Sequence, residues 1–365
     1  MLVILNFYLF SITGMFYQSQ STSAQTAFAS LSTAAMSENV RTVASVPGSF
    51  SQKMVKGKAY WYYQVSDLVS GQTQIFLGPD TPQLSALVAS HKVKPAVEQR
   101  LKQLARLAIA SGCPYMVPNH AKIITRLADA GFFKAGGILV GTHVYMAYQN
   151  YLGVIWTSGA QTADLDFAHP GRKLSLALPA GIQMDTQGAI DSLEMGFVPV
   201  KSLTTYVKSD ETDLQIDFVT TMHREGDKPI EIKALNVIMQ PLKFMEFAME
   251  SPIQLTLLTR LGPVLVNAPP PEKYAVHKLL VYGERPQSQR VKADKDLEQA
   301  ATLVDYLAAH DPEALKEAWD DLCSRGRGWR SRATEGLDAL EEQYPGLDVS
   351  TLRQTPPVHG PRPAG

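Results

Sequence analysis

Apolar residues recur at two spacings along this chain, and the change from one to the other marks where its elements fall. From Pro95 to Ser111, Val97, Leu101, Leu104, Leu107 and Ala108 share one helical face, and Pro118 with Asn119 offers a helix start ahead of AKIITRLADAGFF. At Gly136 the period shortens: GGILVG predicts a short buried strand, THVYMAYQNYLGV a helix, and TADLDFA a second strand. TTYVK and DLQIDFVT flank the polar turn SDET and predict a hairpin, and upstream the basic, aromatic GSFSQKMVKGKAYWYYQVSD and the return run TQIFLGPD predict a smaller one. After Pro263 come a strand, PVLVNA, a break at Pro269 to Pro271, and helices over EKYAVHKLLVYGE and DKDLEQAATLVDYLAAH. No internal repeat is present.

The two ends read differently. MLVILNFYLFSITGMF is shorter than the roughly 20 apolar residues that span a bilayer, and it lacks the basic flank of a secretory signal, the first basic residue being Arg41. It is read as a docked segment or a misplaced start, followed up to Ser45 by a polar lead with room for one short helix. From Tyr344 onward, five prolines and little apolar content predict a disordered tail. The expected division is 1–44 lead, 45–131 hairpin and helical segment, 132–230 core, 231–325 mostly helical part, and 326–365 basic then Pro-rich tail.

Composition narrows the setting. The 365 residues, 45% of them hydrophobic, suffice for two or three compact units, and 34 Lys and Arg against 35 Asp and Glu create no overall field toward nucleic acid or an anionic membrane. Two distant cysteines, Cys113 and Cys323, exclude a disulfide framework and a zinc-type CxxC site, so a cytoplasmic protein with no membrane partner is expected.

The chemistry concentrates in TADLDFA. Strand alternation puts Asp164 and Asp166 on one face and Leu165 and Phe167 on the other, with the two carboxylates starting roughly 6.6 Å apart, near enough to share metal ions. In LQIDFVT the same alternation turns Asp217 away from Ile216 and Phe218, supplying a third acid. Clustered carboxylates repel unless a cation lies among them, and hard oxygen ligands suit Mg²⁺ or Mn²⁺. A lone DxD is more often a solvated strand face, but here Val140-Gly141-Thr142 precedes it at a strand-to-helix turn, where a small residue and free helix N–H donors suit phosphate. His143, just inside that helix, reads as a packing or capping histidine, and the aromatic run Tyr60 to Tyr63 as core. Two basic runs, Arg285 to Lys295 and Arg325 to Arg332, read as solvated faces or, for an RNA acceptor, as phosphate contacts with Trp329 stacking a base.

ILVGTHVYMAY, DLDFA and LQIDFVT together resemble the DNA polymerase beta-like nucleotidyltransferase superfamily. With GSFSQKMVKGKAYWYYQ, KYAVHKLLVYGER and KADKDLEQAATLVDYL, the chain from about Gly48 to Cys323 is similar to a bacterial family of nucleotidyltransferase-fold proteins and to the nucleotidyltransferase toxins of abortive-infection systems. Thr142 stands where the superfamily usually has Ser or Gly, and it keeps a hydroxyl. The resemblance implies an α+β protein with a mixed sheet, flanking helices and a mostly helical C-terminal part. It also implies Gly141, Thr142 and Lys278 at the triphosphate and Asp164, Asp166 and Asp217 as metal-binding and catalytic acids. The activity implied is metal-dependent transfer from a nucleoside triphosphate to a hydroxyl acceptor, RNA or tRNA among the candidates, with an antitoxin-like protein as a further partner. The alternative is a nucleotide- or RNA-binding regulatory module of the same fold that does not turn over.

Overall fold

β1 (Tyr17–Ser19) and α1 (Thr22–Val43) open the part of the chain that the computed structural model describes, which comprises residues 14–43, 49–55, 58–67, 71–80, 82, 85, 94–158, 162–171, 184–222 and 226–353. β2 (Ser49–Val55), β3 (Lys58–Asp67) and β4 (Gly71–Pro79) then make an antiparallel three-stranded sheet, one strand more than the predicted hairpin. α2 (Lys94–Ala110) and α3 (Pro118–Asp129) lead to β5 (Ile138–Val140), α4 (Thr142–Leu152), β6 (Val154–Trp156) and β7 (Asp164–His169). α5 (Thr186–Asp191), β8 (Phe197–Val200), β9 (Thr205–Lys208), β10 (Glu211–Thr221), β11 (Ile230–Ile232), β12 (Val237–Leu242) and α6 (Met245–Met249) follow. The last strands are β13 (Ile253–Thr259) and β14 (Gly262–Ala268), and the last helices α7 (Pro271–Glu284), α8 (Arg290–His310), α9 (Pro312–Ser324), α10 (Arg327–Gln343) and α11 (Ser350–Arg353). The architecture is α+β, as expected.

A seven-stranded mixed sheet forms the centre. β7 lies between β5, antiparallel to it, and β10, parallel to it; the far edge of β10 is shared by β9 over its first half and β12 over its last three residues. Alternation divides the two faces. Leu165, Phe167, Ile216 and Phe218 are fully buried in the main core, where Phe167 stacks on Phe218 at 5.7 Å. The opposite face starts acidic and becomes apolar, with Ile138, Val140, Ala168 and Val219 covered by Met245 and Met249 of α6. α7 and α10 pack so closely that a Cβ on Gly283 or Gly336 would collide with a backbone carbonyl of the other helix.

Three expectations change. The lead is regular: β1 pairs with β6, and α1 is a 22-residue helix whose Ala24, Ala27, Phe28 and Leu31 are buried. Alanine supplies much of that stripe, which makes the amphipathic signal weak. The basic run is no tail but α10, held by the buried Ala333, Gly336, Leu337 and Leu340 at helical spacing. Residues 344–353 are likewise folded, with Leu347, Val349 and Leu352 buried, because a few apolar contacts anchor a proline-containing segment that composition alone marks as polar. The remainder of the predicted tail and the first thirteen residues lie outside the described residues, as do most side chains of the aromatic run. No helix among the described residues is long and apolar enough to cross a membrane.

Candidate active site

Strand register assembles the site. Val140 of β5, Asp166 of β7, Asp217 of β10 and Thr205 of β9 are successive cross-strand partners, so they form one row across four strands. Neighbouring strands lie about 4.8 Å apart, which sets the Asp166 and Asp217 carboxylates side by side on the acidic face. Asp164, paired with Gln215, stands two residues along β7 on that face. The three predicted acids therefore share one face of one sheet. Among the described residues no three His, Cys, Asp or Glu side chains are already drawn together as a metal-ligand set.

Like charges and burial act on Asp166. Its carboxyl is pushed up from 3.8 to about 6 by burial, then by Asp217, with Lys278 pulling it down and Asp164 adding to the rise. Such a carboxylate gains from a cation placed beside it. Asp217 is held by the Thr205 hydroxyl, which donates to its Oδ1 at 2.5 Å.

The turn into α4 supplies the other half of the site. Gly141 is the N-cap, with φ +70°, a left-handed conformation that disfavours side chains. A Cβ there would also collide with Asp166 Oδ2, so the carboxylate rests directly on the glycine. Replacing Gly141 with Ala is therefore expected to displace Asp166, with a stability loss of about 1–2 kcal/mol from the backbone strain alone. Thermal unfolding of the variant checks this. Thr142, the first helical residue, is buried and accepts a hydrogen bond from Gln299 Nε2 at 3.2 Å. Tyr274 shares its hydroxyl proton between the Gly141 carbonyl, 3.0 Å away, and Gln299 Oε1, 2.8 Å away. Helices α7 and α8 thus clamp the turn from the opposite side.

Lys278 comes from α7, whose Ala275, Val276 and Leu279 are fully buried, and its side chain is 15% exposed. Its ammonium donates to Asp296 Oδ1 at 2.6 Å and lies 5.1 Å from the Tyr274 ring centroid. Asp296 also accepts from Arg285 Nε at 2.5 Å. Burial would raise the Asp296 carboxyl, but Lys278 and Arg285 outweigh it and hold the group below its ordinary range. Between the acidic face and α7 lies a cavity of about 460 Å³, lined by Gly141, Asp166, Tyr274, Lys278 and Arg285 and by apolar Val219, Leu242, Phe244 and Met245. That volume falls in the range of small-molecule sites.

A family model described as Nucleotidyltransferase matches residues 119–324, more than half of the chain, and this span contains every residue of the row and of the Gly141 turn. The chain belongs to the nucleotidyltransferase family. No curated protein and no solved structure matches this nucleotidyltransferase. Sequence reasoning missed four residues that build its site. Thr205, Tyr274 and Gln299 are ordinary side chains whose contacts exist only in the folded chain. Asp296 carried a signal, an acid on the buried stripe Ala293, Asp296, Leu297 and Ala300 of α8. His143 is buried against His120, its Nε2 2.8 Å from His120 Nδ1, and burial, then His120, depress it to about 3, in keeping with a packing role. Trp329 packs against Phe244 and Phe247, Arg325 is held by Glu250 and Asp321, and Arg332 by Glu284. The Trp329 ring is thus part of the packing between α6 and α10 and is only partly exposed.

Proposed function

We propose that this nucleotidyltransferase transfers a nucleotidyl group from a nucleoside triphosphate to a hydroxyl acceptor, with Asp164, Asp166 and Asp217 holding Mg²⁺ or Mn²⁺. The observation that carries the reading is the in-register pair Asp166 and Asp217, of which Asp166 is backed by the Gly141 turn and shares one cavity with Lys278. The donor set fits a hard divalent cation: the oxygens are carboxylate, they are adjacent, and Asp166 is disfavoured as a bare anion. When bound, such a cation neutralises phosphate charge and activates the acceptor hydroxyl.

The chain's own residues do the rest. The first N–H groups of α4, beginning at Thr142, are free of intrahelical partners and face phosphate oxygens at the positive end of the helix. Lys278 exchanges its bond to Asp296 for the β- and γ-phosphates, a short movement because its side chain lines the same cavity as Asp166 and Gly141. Asp217 accepts the proton of the acceptor hydroxyl as its oxygen bonds to the α-phosphorus and the bond to pyrophosphate breaks. For an RNA acceptor, the exposed Arg327 and Arg330 of α10 and Lys292 of α8 are among the cations that could meet backbone phosphates, whereas Arg325 and Arg332 are engaged by acids.

Calorimetric titration with each nucleoside triphosphate and Mg²⁺ tests the reading. Wild type is expected to bind only with metal, Asp164→Ala to lose that binding, and wild type to release pyrophosphate with total RNA. Wild type that binds no triphosphate with metal removes the proposal, and binding without pyrophosphate release from any acceptor favours the regulatory alternative.

A further inference from the structure

The loop joining β8 to β9 is built in an unfavourable conformation. Lys201, Ser202 and Leu203 all have positive φ, 47°, 58° and 67°, and none is glycine. Consecutive left-handed residues with side chains are rare because each Cβ crowds the following carbonyl, and such conformations persist where the surroundings hold them in place. All three side chains are exposed, so no burial of their own explains the geometry.

What the loop delivers is Thr204 and Thr205. Val200 and Thr205 close the hairpin as cross-strand partners, and the Thr204 hydroxyl ties the loop by donating to the Lys201 carbonyl at 2.8 Å. The Thr204 carbonyl accepts from the Phe218 amide at 2.9 Å, and the Thr205 hydroxyl donates to Asp217 Oδ1 at 2.5 Å, so the loop grips β10 at Asp217 and at the next residue. Tyr206 packs edge-on against Phe218 in the main core with centroids 5.8 Å apart, and alternation then forces Thr205, 2% exposed, onto the acidic face. A bond of 2.5 Å to a carboxylate lies in the charge-assisted range for hydroxyl donors. Among the described residues no hydrogen bond engages Asp217 Oδ2.

We infer that Thr205 is a positioning residue: it fixes the Asp217 carboxylate through Oδ1 so that Oδ2 faces the cation and the acceptor hydroxyl, and the left-handed loop exists to present it. This rests on the role proposed for Asp217. A hydroxyl is needed, because a side chain of the same shape without a donor leaves the carboxylate free to rotate about its last bond. Serine supplies the same donor with one methyl fewer, so it separates the hydrogen bond from packing.

The test uses the full chain and Mn²⁺ with a non-hydrolysable triphosphate, read by calorimetry, beside pyrophosphate release and thermal unfolding. Thr205→Val is expected to weaken Mn²⁺ binding about tenfold and to lower kcat 30- to 100-fold, with KM for the triphosphate within about threefold. Thr205→Ser is expected to stay within about threefold of wild type in all of these. In an Asp217→Ala background Thr205→Val should add no further loss in Mn²⁺ affinity, since the two act as one unit. Wild type that binds no Mn²⁺ with triphosphate overturns the reading of the site and this inference with it. Wild type that binds, with Thr205→Val equal to it, overturns this inference alone. Thr205→Ser as damaged as Thr205→Val, or a full loss persisting in the Asp217→Ala background, also overturns it in favour of packing.

Discussion

Asp166→Asn is expected to make the metal-free protein more stable while removing its response to Mg²⁺. The Asp166 carboxyl has its folded pKa raised from 3.8 to about 6, so the native state keeps this proton after the unfolded chain has released it. Below pH 4 both states are protonated and the group contributes nothing. As pH rises through 4 to 6 the unfolded state is increasingly favoured, and above 6 the cost of a half-buried carboxylate beside Asp217 remains, eased in part by water. A pKa moved that far corresponds to about 3 kcal/mol, and asparagine, with no charge, is expected to recover about 1–3 kcal/mol of it at pH 8. Thermal unfolding from pH 4 to 8, in EDTA and in Mg²⁺, checks this. Wild type should gain from Mg²⁺ above pH 6 and not at pH 4, and the variant should gain little at either. Equal stability of the two proteins at pH 8 in EDTA would show that Asp166 carries no such cost. A site residue that weakens the empty fold is the expected trade between function and stability.

What the sequence revealed of this site is what local periodicity encodes. Asp164 and Asp166 alternate with Leu165 and Phe167, Asp217 alternates with Ile216 and Phe218, and a period of two fixes which side of a sheet each faces whatever the sheet's topology. Gly141 was legible because a strand and a helix meet there. The strand order was not legible: that β10 lies parallel to β7 with Asp217 level with Asp166 depends on contacts fifty residues apart, which no window of periodicity contains. Nor was the loop before Thr205 legible. Lys201, Ser202 and Leu203 are not residues that favour left-handed backbone, so propensity points away from the conformation they adopt, a mismatch typical of functional sites. The folding of residues 344–353 was hidden for a related reason, because Leu347, Val349 and Leu352 find their partners only in the assembled helices.

Asp296→Ala is expected to be the most destabilising single change near the site. The carboxylate is 4% exposed and joins α8 to two cations, Lys278 within α7 and Arg285 just past its end. Removing one partner of a buried ion pair leaves the others desolvated without compensation, which costs more than the pair contributes when intact. Because Lys278 and Arg285 keep 15% and 23% of their surface, some of that cost is relieved by water. A loss of about 3 kcal/mol is expected, at the lower end for broken buried pairs. Asp296→Asn retains an acceptor oxygen and should lose less, about 1–2 kcal/mol, in line with a weaker neutral hydrogen bond. Adding Lys278→Met to Asp296→Ala should restore part of the loss, since one stranded ammonium is replaced by an apolar chain of similar length that can lie on the Tyr274 ring. Urea unfolding of the single and double variants at pH 7 measures each step through its midpoint. If the double variant is less stable than Asp296→Ala by the full effect of Lys278→Met alone, the two residues are not coupled, and Lys278 is held in the cavity by Tyr274 and its own helix rather than by Asp296.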